Sequence, residues 1–466
     1  MLNYSLSERG DTPIYRYLYR QIKNDILSGK LTAGEKLPSK RSLAQTLNVG
    51  VITVENAYSC LISEGYIDAK EKKGYFVARI ERLPTAERPV RDFRLPERRT
   101  YSVDLRSGAV DTASFPVSIW NRLSREVITE RSADFFRPCA PTGAPELRHA
   151  IADYLRRVKS IETSPDCIVI AAGTEMLLYS IVRLLGGYNV YAAEEPGYPK
   201  IPAVYTAAGA RCIALPSDAQ GVDTEALRNS PASVLHVSPN HHYPTGRITS
   251  LSRRSELLRW AAERAERYIV EDDFDSEFRF DAHPIGSLFS IDFADKVIYM
   301  NTFSKTISPS LRVGYLVLPP HLTERYLERS EHFSCTVSAA EQLTLARFIA
   351  DGYYEGHIAR MRRLYGVRRK KFLEMIRRSP LNGRIRITEQ GAGLHFLLKL
   401  PDTVSEEAIS ALARKNGVGL SFLSHCSRYS SAKEKGYLII NYGGIDEDGF
   451  DAALRFLEKA ICAESP

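Results

Sequence analysis

The sequence predicts an α/β protein of two bodies: a small helical head ending in a basic hairpin, and a large, mainly parallel α/β body that finishes in a small α+β region. Three observations carry this. The first eighty residues hold three segments of helical periodicity and then two short alternating runs around residues 70–74. From about residue 103 to residue 299, apolar runs of strand length alternate with helical segments. Between the two regions, residues 83–102 are rich in proline and arginine and have no apolar periodicity, as a semi-extended tether would.

Composition narrows the class. A chain of 466 residues exceeds what one core organises, so two or three domains are expected. No apolar run approaches the ~20 residues needed to cross a bilayer. Residues 1–10 are polar and do not read as a secretory signal. The cysteines (Cys60, Cys139, Cys167, Cys212, Cys335, Cys426, Cys462) are scattered, odd in number and free of CxxC spacing. They read as free thiols in a reducing cytoplasm, with neither a disulfide frame nor a zinc site. The net charge of +7 is uneven: residues 1–100 carry 18 Lys+Arg against 12 Asp+Glu, and the rest 45 against 44. A basic head on a nearly neutral body points to a polyanion-binding module, with a solvated basic face as the plainer alternative.

In the head, Thr12-Pro13 opens a helix whose apolar positions (Ile14, Leu18, Ile22, Ile26, Leu27) recur until Ser28-Gly29. Ser39 caps a short helix through Leu47, and a further helix runs over about 51–64 to Gly65. Residues 66–69 and 75–78 alternate as strands around Lys70-Glu71-Lys72-Lys73-Gly74. Three helices and a basic hairpin make a winged helix-turn-helix, whose second helix of the pair enters the major groove. The pattern LPSKRSLA … TVENAY … LISEGYI … GYFV resembles the GntR-type DNA-binding domain over residues 12–80. That resemblance implies phosphate contacts from Lys40 and Arg41, a recognition helix containing Thr53, Asn56 and Tyr58, and a wing containing Lys72 and Lys73. Spacing alone makes Tyr58 a core residue. Where the family usually has Ser-Arg at the start of the recognition helix, this chain has Gly50-Val51, which removes an arginine.

In the body, strands are expected at 168–170, 189–192, 211–215, 234–237, 268–270 and 297–299, with helices at 145–159, 174–185, 198–208 and 251–267. Polar clusters fall at the strand carboxyl ends, where such sheets bind ligands. Gly173-Thr174, between a strand and a helix, suits a phosphate. Tyr198, in Glu194-Glu195-Pro196-Gly197-Tyr198, suits stacking on a flat ring or burial in a core. Asn240-His241-His242-Tyr243-Pro244-Thr245-Gly246 is a polar turn with no carboxylate or cysteine at ligand spacing, so no metal is expected. The carboxylate run Glu271-Asp272-Asp273-Phe274-Asp275-Ser276-Glu277 needs a cation among its members, either a protonated pyridine nitrogen or a divalent metal. Last, Ser304-Lys305-Thr306 follows a buried strand, with Arg312 seven positions on. A lysine held on a rigid scaffold suits Schiff-base chemistry, and arginine and serine suit a phosphate.

In this order the clusters resemble fold type I pyridoxal 5′-phosphate enzymes of the aspartate aminotransferase group, from about residue 103 to the end. With the head and basic tether, the whole chain resembles the MocR subgroup of GntR regulators, whose aminotransferase-like domain serves as effector sensor. The resemblance implies that Lys305 forms the internal aldimine and that Asp272, or Asp273 if the register slips, partners the pyridine nitrogen. Tyr198 stacks on the ring, and Gly173, Thr174, Ser304 and Arg312 hold the phosphate. Two departures stand out: Phe274 replaces a usual tyrosine, and Tyr243 a usual asparagine whose contact falls to His241 or His242. The usual carboxylate-binding arginine is absent before Asn441-Tyr442-Gly443, which leaves Arg428 as the effector-binding candidate.

The domains expected are 1–82 (winged helix-turn-helix), 83–102 (linker), 103–325 (large cofactor-binding domain) and 326–466 (small C-terminal domain). The function expected is a pyridoxal-phosphate-dependent transcription regulator that binds double-stranded DNA. It senses the cofactor, or an amine or amino acid, through aldimine chemistry at Lys305, with little or no full transaminase turnover. The alternative is an active aminotransferase with a vestigial reader. A cytoplasmic homodimer exchanging its readers follows from the resemblance alone.

Overall fold

The computed structural model describes residues 4–79, 95, 100–106, 108–280, 286–388, 391–427 and 435–462. The chain divides into two compact units, Met1–Glu97 and Arg98–Pro466.

The first unit has helices α1 (Ile14–Leu27), α2 (Lys40–Leu47) and α3 (Val51–Ser63), with strands β1 (Lys36–Leu37), β2 (Ile67–Lys70) and β3 (Gly74–Val77) in the order β1-β3-β2. Ser39 caps α2, its hydroxyl accepting from Ser42 N at 3.1 Å. Leu18, Ile22, Leu43, Val54, Ala57 and Leu61 close one core. Tyr58 belongs to it: its ring is buried, its hydroxyl donates to Pro38 O at 2.9 Å, and Tyr75 packs edge-on. It is therefore a core residue of the recognition helix.

The second unit is built on eight strands: β5 (Ile168–Ala171), β6 (Val190–Glu195), β7 (Arg211–Asp218), β8 (Gly221–Val222), β9 (Val234–Val237), β10 (Tyr268–Asp272), β11 (Val297–Thr302) and β12 (Gly314–Val317). Their order is β5-β12-β11-β10-β9-β6-β7-β8. The sheet is mixed. Strands β7, β6, β9, β10 and β11 pair in parallel, while β12 lies antiparallel between β11 and β5. Because β12 runs backwards, it starts at the edge where its neighbours end, which brings Arg312 to the carboxyl ends of β5, β6, β9, β10 and β11. Gly314 is required there: a Cβ would meet Leu177 Cδ1 at 2.8 Å and Asn301 O at 3.1 Å.

Both faces of the sheet are covered. Ile168 and Ile170 enter one core with Leu147, Ile151 and Phe348; Val169 and Ala171 enter the other with Leu177, Leu178 and Ile181. The segment expected as one helix over 145–159 is α-helical only for Pro145–Tyr154. It ends in a π turn, Leu155–Lys159, that delivers Lys159 to the buried side.

A 26-residue helix, Tyr353–Arg378, leads to the C-terminal sheet of β13 (Arg386–Thr388), β14 (His395–Lys399) and β16 (Tyr437–Asn441). Strand β15 (Val418–Gly419) pairs in parallel with β4 (Val103–Asp104), and Leu105 and Val110 pack in the C-terminal core. The start of the body is thus tied to its C-terminal part. A last helix, Glu447–Cys462, absent from the sequence reading, seals that core, with Phe450 stacked on Phe372 at 3.9 Å. Among the described residues, no helix is long and apolar enough to cross a membrane.

Candidate cofactor site and nucleic-acid interface

The carboxyl ends of the parallel strands open onto a cavity of about 550 Å³, lined by Thr174, Tyr198, His242, Asp272, Ser304, Lys305 and Arg312. Gly173, with φ +77, lies against the Arg312 guanidinium, where a Cβ would come within 2.7 Å. The candidates drawn from five separated stretches of sequence thus converge. Arg428 lies outside the described residues, but the loop leading to it meets the cavity through His425, Cys426 and Ser427.

Lys305 is half-buried, and its Nζ donates to Gly108 O at 3.0 Å. Burial lowers its pKa, with Asp275 opposing and Lys200 adding to the shift, so the neutral nucleophile is favoured. Asp272, at the end of β10, is buried and lines the cavity. Burial raises its carboxyl despite His236, whose Nε2 lies 3.5 Å from Oδ2. Tyr205 holds the other ring nitrogen of His236 at 3.0 Å. Asp273 turns the other way. Lys159 reaches it at 2.7 Å and Glu277 at 2.8 Å, and Tyr299 and Asn240 donate to it at 2.7 and 2.8 Å. The geometry thus favours Asp272 over Asp273 for a ring nitrogen. It also answers the carboxylate run: Lys159 is the cation between Asp273 and Glu277, and His241 Nδ1 sits 3.0 Å from Asp275.

The phosphate corner is more crowded than the sequence suggested. Arg312 adopts φ +55, a conformation that costs a non-glycine residue on the order of 1–3 kcal/mol. Its guanidinium donates to Ala172 O at 3.2 Å and pairs with Glu175. Lys200 joins Glu175 at 2.7 Å. Burial works against the Glu175 charge, but Lys200 and Arg312 outweigh it and hold the carboxyl down at about 2. Two cations against one carboxylate, at the first turn of the helix Gly173–Leu185, leave a net positive corner.

Sequence reasoning passed over His236, Lys159, Lys200 and Gly108. Only His236 carried a signal, a polar residue inside an otherwise apolar strand. His241, Asp275 and His395 bring candidate ligand atoms within 4.8 Å of one another, although no carboxylate stood at ligand spacing in the sequence. Asp275 already bonds His241, and His395 Nε2 meets Pro244 O at 2.9 Å, so the cluster is satisfied by hydrogen bonds.

These buried groups set a pH profile. Burial pushes Glu194 and Glu271 up to about 7 from 4.5, and His242 and His395 down to about 3 from 6.5. The raised carboxyls cost stability as pH rises from 4.5 to about 7, and the depressed imidazoles cost it as pH falls from 6.5 to about 3. The two nearly cancel between 4.5 and 6.5. Below that window only the imidazoles act, joined by Asp273, which is held low by Lys159 against the effect of burial. Thermal unfolding is expected to give a nearly flat Tm from pH 4.5 to 6.5 and a steep fall below 4.5.

On the head, Arg41, Lys72 and Lys73 are exposed, as is Asn56 on α3, while Thr53 is half-buried. Lys40 pairs with Glu55 of α3, so its ammonium is shared between the helices rather than free for phosphate alone. Lys72 has φ +58 in the hairpin turn.

Residues 103–456 match the family model for aminotransferase class I and II, and residues 14–77 that for bacterial regulatory proteins of the gntR family. The probable rhizopine catabolism regulatory protein MocR of Rhizobium meliloti is 32% identical, the match covering 98% of this chain and 96% of that protein. The chain belongs to the MocR subgroup of GntR-type regulators. The HTH-type regulator YhdI of Bacillus subtilis is 36% identical to this MocR-type regulator, covering 98% and 97% of the two chains. The pyridoxine biosynthesis regulator PdxR of Corynebacterium glutamicum is 30% identical over 98% of each. Among solved structures, the kynurenine aminotransferase of Pyrococcus horikoshii superposes with a TM-score of 0.68 at 23% identity, covering 78% and 91%. That likeness fixes the fold.

The cofactor of such a domain is pyridoxal 5′-phosphate, and the residues present fit it. Buried His236 and His242 line the cavity, and the Nε2 of each makes no hydrogen bond, lying 3.5 Å from Asp272 and 3.6 Å from Glu194 respectively. Asp272 would keep the ring nitrogen protonated, and Arg312, Thr174 and Ser304 would hold the phosphate. The cofactor, when bound, supplies a reactive aldehyde and an electron sink. Phe274 lines the cavity beside His241 and offers no hydroxyl to the ring oxygen.

Proposed function

We propose that this MocR-type regulator detects an amine or amino acid through covalent chemistry at Lys305 and passes the event to its DNA-binding head. The observation that carries this is the Lys305–Gly108 hydrogen bond at 3.0 Å. Gly108 lies in the segment that follows the linker and that is tied to β15 through β4. Whether the lysine amine is free to donate is therefore felt at the first residues of the body, where the linker is attached. A ligand shifts such an equilibrium only by its differential affinity for the two arrangements. Within this reading Tyr198 supports the cofactor ring, His242 its edge, and Arg428 an effector carboxylate. The absence of a hydroxyl at Phe274 supports sensing over turnover.

The test combines absorbance of the cofactor-loaded protein with DNA-binding anisotropy in one titration of amines and amino acids. A small set of compounds is expected to move both signals with the same midpoint. Spectral change without any change in DNA affinity overturns the coupling, and sustained amino transfer to a keto acid would identify an enzyme instead.

A further inference from the structure

The recognition helix carries an unusual surface for a reader of a polyanion. Helix α3, VITVENAYSCLIS, contains no lysine or arginine, and its one charged side chain, Glu55, is engaged by Lys40. Val54, Ala57, Tyr58 and Leu61 point into the core. The first turn instead presents two adjacent β-branched apolar side chains, Val51 at 41% and Ile52 at 71% exposure, neither of which takes part in the head's core. The cations lie on neighbouring elements, Lys40 and Arg41 at the start of α2 and Lys72 and Lys73 in the hairpin between β2 and β3. Cations neighbouring an apolar tip match a groove whose rims are phosphate and whose floor offers an apolar group.

In the major groove only thymine offers one, its 5-methyl. The first residues of a recognition helix are those that reach base edges. We propose that Val51 and Ile52 read thymine methyl groups, so that the DNA site of this regulator carries thymines where the start of α3 enters the groove. Glu55, shared with Lys40, tolerates only a base donor beside it, which the amino group of cytosine or of adenine supplies. The phosphate contacts of Arg41, Lys72 and Lys73 then give affinity without sequence, and the apolar pair gives sequence without charge. This inference rests on the DNA-binding reading of the head.

The experiment uses the full chain, loaded with cofactor, to select duplexes from a random double-stranded library at fixed salt. Each thymine of the selected duplex is then replaced singly by deoxyuridine, which removes the methyl and keeps every hydrogen-bonding group. One or two adjacent positions in each half-site are expected to lose about fourfold in affinity per methyl, the factor for burying one methyl-sized group. In the V51A/I52A variant that penalty vanishes while the slope of log affinity against log salt is unchanged. The Ile52→Thr variant, which keeps one methyl and the β-branch, retains part of it. Uniform tolerance of deoxyuridine overturns the proposal, as does a penalty that persists in V51A/I52A. Failure to select any duplex overturns the DNA-binding reading itself.

Discussion

In the Lys305→Ala variant, borohydride treatment of coenzyme-saturated protein is expected to leave labelling of the chain at background, whereas the parent protein carries the label on the peptide containing residue 305. The basis is geometric. Lys305 lies in the turn that follows β11, lines the cavity and has its charge disfavoured by burial. The rival is Lys200, which lines the same cavity but is held protonated, because Glu175 outweighs the effect of its burial. Peptide mapping separates the two. Label on the peptide carrying Lys200 would move the covalent site across the cavity; label that survives on neither would leave the pocket a non-covalent one. The unfolding temperature of Lys305→Ala should stay close to that of the parent, since its amine makes one hydrogen bond to a carbonyl.

The largest stability effect is expected at Lys159. Its ammonium is nearly inaccessible and bonds two buried carboxylates, Asp273 at 2.7 Å and Glu277 at 2.8 Å. Lys159→Met strands both charges, and breaking a buried pair in this way costs about 3–5 kcal/mol. Against a typical total of about 5–15 kcal/mol this is a large fraction, visible as a lowered denaturation midpoint. Adding Asp273→Asn and Glu277→Gln to Lys159→Met removes the stranded charges and is expected to recover most of the loss. A single variant as stable as the parent would mean that water or another cation reaches the cluster. Because Asp273 and Asp272 are adjacent on the chain and face opposite ways, the same variant also reports on the site: loosening the rear of the strand should weaken cofactor retention without touching the cavity.

Much of the site was legible in the sequence, and the reason differs from residue to residue. Lys305, Arg312, Gly173 and Thr174 were readable because each sits at a strand end, where apolar runs give way to polar residues. Asp272 was readable only to within one position. The alternation along β10 decides between Asp272 and Asp273, but choosing the inward one requires knowing that Lys159 waits on the far side. Lys159 itself was hidden by a π turn, which no helical periodicity anticipates. Glu175 and Lys200 were hidden because their partnership joins the first turns of two helices 25 residues apart. In the head, the helices and hairpin followed from periodicity and caps. The Lys40–Glu55 pair was not visible, since it depends on how α2 and α3 pack.

The reversed strand β12 has a consequence for how the protein is made. Arg312 meets Ala172 across 140 residues of chain, and β12 finds its place only between two strands already present, β5 and β11. A ribosome-bound chain that has emerged only as far as β11 therefore lacks both Lys305 and Arg312, which follow that strand. Non-local closure of this kind is slow relative to local helix formation. Closure of the arginine side of the pocket on the nascent polypeptide has to wait for that insertion, and the lining supplied by Leu394, His395 and Asn441 comes later still.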